Sequence, residues 1–163
     1  MFENFQWPKP EEEADETLIR NVREHGCHVL NVHADPSFSF STGLALNYGQ
    51  AEIVIFGMSP RHATRIINIV RDDAASGKKY VDGDVSDDFL VGLKVCFVKV
   101  PLEQYPEYLG TAMWFYRKLP RAFPCLQLVW PDRAGLFPWE TGSEHEARSA
   151  GPEVDFVRAC RVV

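Results

Sequence analysis

The stretch of sequence that decides the fold is residues 51–58, AEIVIFGM. It is a nearly continuous apolar run of strand length, and such runs are typical of strands that are covered on both faces. We therefore expect a strand in the middle of a sheet. The next residues, Ser59 and Pro60, favour the start of a helix, with serine as the cap and proline in the first turn. Apolar side chains at helical spacing then predict the longest helix of the chain, over residues 60–75.

A helix and two strands are predicted before this central strand. Residues 16–25 carry apolar side chains at helical spacing, and Asp15 can cap the start of that helix. Residues 27–34 show no helical stripe and predict a strand. Residues 38–41, FSFS, alternate strictly between apolar and polar side chains, which predicts a second strand with both phenylalanines on one face.

Further elements are predicted after the long helix. Residues 89–100 alternate along most of their length and predict a strand, and the polar connection before them, residues 78–88, can contribute a short edge strand. Residues 109–119 predict a helix that has apolar groups over most of its surface. Residues 125–130, CLQLVW, predict a final strand.

The composition is that of an ordered globular protein. Of the 163 residues, 45% are hydrophobic and 25% are charged, which fits neither wholesale disorder nor a fibrous repeat. No internal repeat or linker interrupts the chain, so we expect residues 15–163 to form a single α+β domain. Its sheet should be mixed or antiparallel, with about five strands and about three helices. Residues 1–14 contain prolines and an acidic run without apolar periodicity, which predicts a flexible N-terminal arm.

Charge and hydropathy argue against several classes of partner. The formal net charge is -6 and the basic residues are scattered, so we expect no nucleic-acid partner. No apolar stretch is long enough to cross a bilayer and no signal peptide is recognisable, which predicts a cytoplasmic protein with no membrane partner. The four cysteines lack any paired spacing, and we interpret them as reduced thiols: Cys27, Cys96, Cys125 and Cys160.

Neither a metal nor a cofactor is expected. His25, Cys27, His28 and His33 are residue types that bind zinc, but on a strand Cys27 and His33 would lie about 20 Å apart and His28 would point to the other face. The chain has no glycine-rich dinucleotide or nucleotide loop of the known patterns. The sequence therefore predicts no metal site and no cofactor.

Two groups of residues are candidates for binding. The corner Ser41-Thr42-Gly43 follows a strand, where hydroxyls and an unhindered backbone can hold a phosphate or a carboxylate, although an ordinary turn is the simpler interpretation. From this corner Thr42 and Gly43 are the candidates. Late aromatic and polar side chains form the second group, and such sets are typical of ligand pockets, interfaces and aromatic cores alike. Its members are Trp114, Tyr116, Gln127, Trp130, Asp132, Arg133 and Trp139.

Several of these segments resemble the bacterial family catalogued as domain of unknown function 4262. The resemblance spans about residues 20 to 140 in consistent order, and it implies no activity because the family is named for lacking one. The segments that carry it are His25-Gly26-Cys27-His28-Val29, Phe38-Ser39-Phe40-Ser41-Thr42-Gly43-Leu44, Glu52-Ile53-Val54-Ile55-Phe56-Gly57, Tyr108-Leu109-Gly110, Trp114-Phe115-Tyr116, Leu126-Gln127-Leu128-Val129-Trp130-Pro131-Asp132-Arg133 and Phe137-Pro138-Trp139.

The chain departs from the family pattern at two places. Where the family commonly shows a tyrosine-threonine-isoleucine-glycine corner, this chain keeps only the glycine, Gly43. The histidine and proline that the resemblance associates with the start of the central strand are replaced by Gln50 and Ala51, while the following Glu52 matches. The second departure removes one catalytic candidate.

These observations favour a non-catalytic binding or interaction protein of the bacterial cytoplasm, since no catalytic signature is present. Its partner is an unknown protein or small molecule, and a homodimer stays open. The alternative is a small enzyme that acts on a polar metabolite, with His25, Thr42 and Arg133 converging on one pocket. A flavin-binding barrel is a third option, suggested by the many strands and the aromatic residues.

Overall fold

The structure, a computed structural model, describes residues 2–143. The α+β class with a mixed sheet is confirmed, and the described residues contribute six strands where about five were expected. In chain order the elements are α1 (Glu13–His25), β1 (His28–Val32), β2 (Phe38–Thr42), α2 (Leu44–Tyr48), β3 (Glu52–Phe56), α3 (Pro60–Ala75), β4 (Val85–Leu90), β5 (Leu93–Lys99), a 3₁₀ turn (Leu102–Gln104), α4 (Tyr105–Tyr108), α5 (Gly110–Phe115) and β6 (Cys125–Val129).

The six strands form one open sheet in the order β1-β2-β3-β6-β5-β4. Neighbouring strands are antiparallel except for the central pair β3 and β6, which are parallel. A parallel pair needs a long connection, and here the connection carries α3, the β4–β5 hairpin, α4 and α5. The predicted position of residues 51–58 in the middle of the sheet is confirmed. Because β1 and β4 are edges in the described sheet, it is not the closed barrel of the flavin-binding option.

Core packing explains why the central strand has no polar alternation. Ile53 and Ile55 belong to a core cluster that includes Ile67 of α3. Val54 belongs to a second cluster, which includes Phe115 of α5. Successive side chains of a strand point to opposite faces. A strand that is covered on both faces therefore buries apolar groups at every position.

The N-terminal segment packs against the core, which corrects the expectation of a flexible arm over residues 1–14. The rings of Phe5 and Trp7 lie 5.2 Å and 5.7 Å from the ring of Phe115. The Arg23 guanidinium stacks over Trp7 at 4.3 Å. Each ring packs individually, so the segment has no periodic pattern that the sequence could reveal. The predicted single domain also includes residues 144–163, which lie outside the described part of the chain.

Two predicted elements are divided or shortened. The edge strand expected within residues 78–88 and the strand expected over residues 89–100 together form the β4–β5 hairpin, in which β4 begins at Val85 and the chain turns at Gly92, whose φ of 72° favours glycine. The helix expected over residues 109–119 ends at Phe115. The helix α1 begins at Glu13, three residues before its predicted start, with a capping box that includes Asp15.

None of the helices formed by residues 2–143 has the length and apolar character required to cross a membrane.

Candidate functional site

A buried carboxyl group lies where the central strand begins. Glu52, the first residue of β3, is only 1% exposed. Its Oε2 accepts a hydrogen bond from the Ser41 hydroxyl at 2.5 Å. Its Oε1 accepts the backbone N–H groups of Gly43 at 2.9 Å and Ala45 at 3.1 Å, together with the hydroxyl of Tyr116. We call these five residues the Glu52 cluster.

The donors converge because a strand, a tight turn and a short helix meet at this corner. Gly43 follows β2 with a φ of 111°, a left-handed conformation that glycine adopts readily and that leads the chain into α2. The Ser41 hydroxyl also accepts the N–H of Ile53 at 2.9 Å. The Tyr116 hydroxyl accepts the N–H groups of Gly43 at 3.1 Å and Leu46 at 3.4 Å. The Glu52 cluster thus ties β2, α2, β3 and the end of α5 together.

Burial controls the electrostatics of this cluster. Burial raises the pKa of the Glu52 carboxyl above its usual value, while the hydrogen bonds from Ser41, Tyr116, Ala45 and Gly43 act in the opposite direction. Burial and the neighbouring Glu52 also raise the pKa of Tyr116. Both carboxyl oxygens already accept hydrogen bonds, and the side chain is closed to solvent. The chemistry that this arrangement supports is structural anchoring of the corner between β2 and α2.

Burial also makes the described cysteines poor nucleophiles. Cys27, Cys96 and Cys125 are free thiols, and burial raises the pKa of Cys27 to about 12. Burial also raises the pKa of Cys96, and it raises that of Cys125 well above the usual value. A thiol must ionise to attack, so these side chains favour packing over catalysis. Cys160 lies outside the described residues.

The structure brings two of the predicted binding residues together in the Glu52 cluster, namely Gly43 and Tyr116. Thr42, the residue before Gly43, is buried at the end of β2. Trp114 is only half-buried, and the Arg117 guanidinium lies 5.5 Å from its ring centre. The cluster therefore joins the early corner to one member of the late aromatic group.

The other predicted tryptophans pack within the fold. The Trp130 indole N–H donates to the carbonyl of Phe56 at 2.8 Å. The Trp139 ring stacks on Phe137 with the ring centres 4.9 Å apart. An indole that satisfies a strand-end carbonyl has a structural role. Replacing Trp130 is therefore expected to destabilise the end of β3, whether or not a partner is bound.

The remaining predicted residues lie along and beyond β6. Gln127 is buried in the middle of that strand, beside Val54 of β3 and Val98 of β5. The Asp132 carboxylate accepts two backbone N–H groups of the following turn, each at 2.9 Å. Arg133 is exposed in that turn. The late group is thus distributed over the fold rather than gathered in one site.

The three residues proposed for an enzyme pocket are not gathered at one place. Thr42 is paired with His28 near the end of the sheet where β3 begins, and His25 ends the helix just before β1. Arg133 follows the end of β6, which runs parallel to β3. The five residues of β6 alone span about 13 Å. His25 and Thr42 therefore lie at one end of the sheet and Arg133 lies at the other.

Three members of the cluster were not among the candidate binding residues: Glu52, Ser41 and Ala45. One sequence signal could have found Glu52, because it is the only charged residue in residues 51–58, a run expected to be buried on both faces. A buried carboxyl requires hydrogen-bond partners.

Within residues 2–143, no three His, Cys, Asp or Glu side chains lie close enough together to hold a metal ion.

A second candidate site is a groove between α3 and the edge strand β4, which we call the α3–β4 groove. It has an apolar lining, a helix side with basic residues and a strand side with acidic residues. The apolar lining is Ile66, Ile69, Phe89, Leu90 and Val91, the helix side is His62 and Arg65, and the strand side is Asp87 and Asp88.

Fold and site together define a mixed-sheet α+β domain in which a buried carboxyl group anchors a strand-to-helix corner. The chain belongs to the family described as Domain of unknown function (DUF4262), whose model matches residues 21–144. The match confirms the resemblance found from the sequence segments. No curated protein and no solved structure matches the chain.

The raised pKa of Glu52 predicts a specific pH dependence of stability. A carboxyl whose pKa is higher in the folded state contributes stability that is fully present below the usual value, 4.5, and is lost as the pH rises through the folded value. Each pH unit between the two values corresponds to about 1.4 kcal/mol. The free energy of unfolding of the wild type, relative to Glu52→Gln, should therefore decrease from pH 4.5 toward neutral pH.

Urea unfolding of both proteins at several pH values measures this difference. A difference between wild type and Glu52→Gln that is constant with pH would contradict the raised pKa.

Proposed function

We propose that this protein is a non-catalytic interaction protein of the bacterial cytoplasm, and that it contacts a protein partner through the α3–β4 groove. The observation that carries the proposal is Val91, which belongs to the apolar lining of the groove and is fully exposed at the tip of the β4–β5 hairpin. When a partner covers apolar surface that is gathered at a groove, that surface leaves water and the free energy decreases.

The edge of the sheet supports the same proposal. Phe89 and Leu90 are only half-buried at the end of β4, and Ile69 is half-buried on the facing side of α3. These side chains provide an apolar centre, and the charged residues on either side provide a polar rim. This is the usual arrangement of a protein interface.

The internal polar groups favour a non-catalytic role over the alternative of a small enzyme. The Glu52 carboxyl and the Tyr116 hydroxyl serve the corner between β2 and α2. Raised pKa values hold Cys27 and Cys125 in the thiol form. The free thiols also support a reducing compartment such as the cytoplasm.

A photoreactive amino acid placed at Val91 tests this function. Irradiation in intact bacterial cells is expected to produce a defined protein adduct, because the position borders the proposed interface. The matched control is the same amino acid at Leu102, which is 58% exposed and lies in the 3₁₀ turn, outside the groove.

Two outcomes would contradict the proposal. One is an equal pattern of adducts at both positions, and the other is an adduct at Val91 that persists unchanged when Ile69→Asp is introduced into the groove.

A further inference from the structure

We propose that the partner of the α3–β4 groove is a second copy of this chain, bound around a two-fold axis. This inference rests on the proposed function, since it names the partner of the same groove.

The charge pattern of the groove is complementary to itself. The helix side carries Arg65 and His62, whereas the strand side carries Asp87 and Asp88. A two-fold axis that runs along the groove places the same surface patch opposite itself with its helix side and strand side exchanged. The basic side of one copy then faces the acidic side of the other, twice in each dimer.

Two of these charges are available for a partner. Within residues 2–143, neither Arg65 nor Asp87 forms a hydrogen bond or an ion pair with another side chain. Asp88, by contrast, is bound to Lys78 at 2.9 Å. The contact across the interface is therefore assigned to Arg65 of one copy and Asp87 of the other.

The same residues argue against other occupants. Pairing of two β4 strands edge to edge would bring Asp87 and Asp88 close to their own copies, and like charges there cost free energy. An irregularity between Ser86 and Leu90 also interrupts the edge of β4. A peptide of one charge sign would match only one side of the groove. A second copy matches both sides.

Val91 supplies the apolar part of the contact. It is fully exposed and lies at the hairpin tip, directly beside Leu90 of the groove. In the dimer it covers apolar lining that each isolated copy leaves in water. Removing this side chain should therefore weaken the association without affecting the core.

Sedimentation velocity of the full chain tests the inference, over concentrations from about 1 to 200 µM, which span modest protein affinities. The wild type is expected to associate into dimers as the concentration rises. Arg65→Asp and Asp87→Arg, each alone, should raise the dissociation constant at least about tenfold, because each replaces two attractive charge pairs of the dimer by two repulsive ones.

The double variant, Arg65→Asp with Asp87→Arg, exchanges the two charges and should recover dimerisation. Val91→Ser should weaken it, and Glu103→Arg, an exposed charge reversal in the 3₁₀ turn, should leave it unchanged. Thermal unfolding of each variant verifies that it is folded.

Three results would overturn the inference: a wild type that is monomeric throughout, a dimer that is insensitive to both single reversals, or a double variant no better than the singles. The crosslinking experiment at Val91 tests the proposed function separately from the dimer. An adduct at Val91 with the mass of two copies supports both proposals, whereas a specific adduct of another mass supports the function and overturns the dimer.

Discussion

Glu52→Ala should lower the free energy of unfolding by about 4 kcal/mol, because it leaves a set of buried donors without their acceptor. The backbone N–H of Ala45, fixed by the turn into α2, loses its acceptor, and that of Gly43 keeps only the Tyr116 hydroxyl at 3.1 Å. The hydroxyls of Ser41 and Tyr116 lose the same partner. Removal of a buried carboxyl also removes its desolvation cost, but several unsatisfied donors outweigh that gain.

Glu52→Gln is the matched control for this prediction. The amide oxygen can accept the three hydrogen bonds now made to Oε1, and the amide N–H₂ can donate to the Ser41 hydroxyl. A loss of about 1 kcal/mol is therefore expected. Urea unfolding at pH 4.5, below the raised pKa of Glu52, compares the two variants. An alanine variant as stable as the glutamine variant would show that the Glu52 cluster does not anchor the corner.

Gly43→Ala should cost about 3 kcal/mol, the second largest effect that we expect, from backbone strain together with overpacking. The φ of 111° disfavours any residue with a Cβ atom. An added Cβ would also lie 2.8 Å from a methyl carbon of Val22 and 3.0 Å from the carbonyl oxygen of Gly26. The turn must move to relieve these contacts, and the N–H group that binds Glu52 moves with it.

Gly49→Ala separates the two causes. Gly49 has a φ of 63°, and an added Cβ there would meet no atom within 4 Å, so only backbone strain of about 1 kcal/mol is expected. Urea unfolding of both variants gives the comparison. Equal losses at the two glycines would contradict the proposed crowding at Gly43.

The Glu52 cluster also connects the two places at which the sequence resemblance finds a departure from the family pattern. Gly43 is the position kept in the altered corner, and Glu52 is the residue that matches after the altered pair Gln50 and Ala51. The structure joins the two by a hydrogen bond of 2.9 Å from N–H to carboxyl. Gln50 has a separate structural role, because its side-chain amide donates one hydrogen bond to the backbone of Tyr80 and accepts another from it.

Much of the fold was predictable because local patterns record which side of an element is buried. The long helix over Pro60–Ala75 agrees with its predicted bounds, since Ser59 caps it and its apolar side chains recur at helical spacing. The central strand followed from residues 51–58 in the same way. The β4–β5 hairpin was only partly predicted: an edge strand was expected within residues 78–88, but the turn at Gly92 divides the strand expected over residues 89–100, because the apolar character continues on both sides of it.

Most of the candidate site was not predictable from spacing. Glu52 and Tyr116 are 64 positions apart, and they meet only because α5 packs beside the corner between β2 and α2. Phe5 reaches Phe115 over an even longer separation. A periodic pattern identifies a buried face but carries no information about which distant residue covers it.

The sequence by itself determined the α+β class, the central buried strand, the long helix and the membership of the family. Only the tertiary structure decided that Glu52 is an anchor, that residues 2–7 pack on the core, and that a charged apolar groove lies between α3 and β4. The physical reason is the range of the interactions. Caps, turns and periodicity act within a few residues, whereas hydrogen bonds and packing between elements depend on how the whole sheet is assembled.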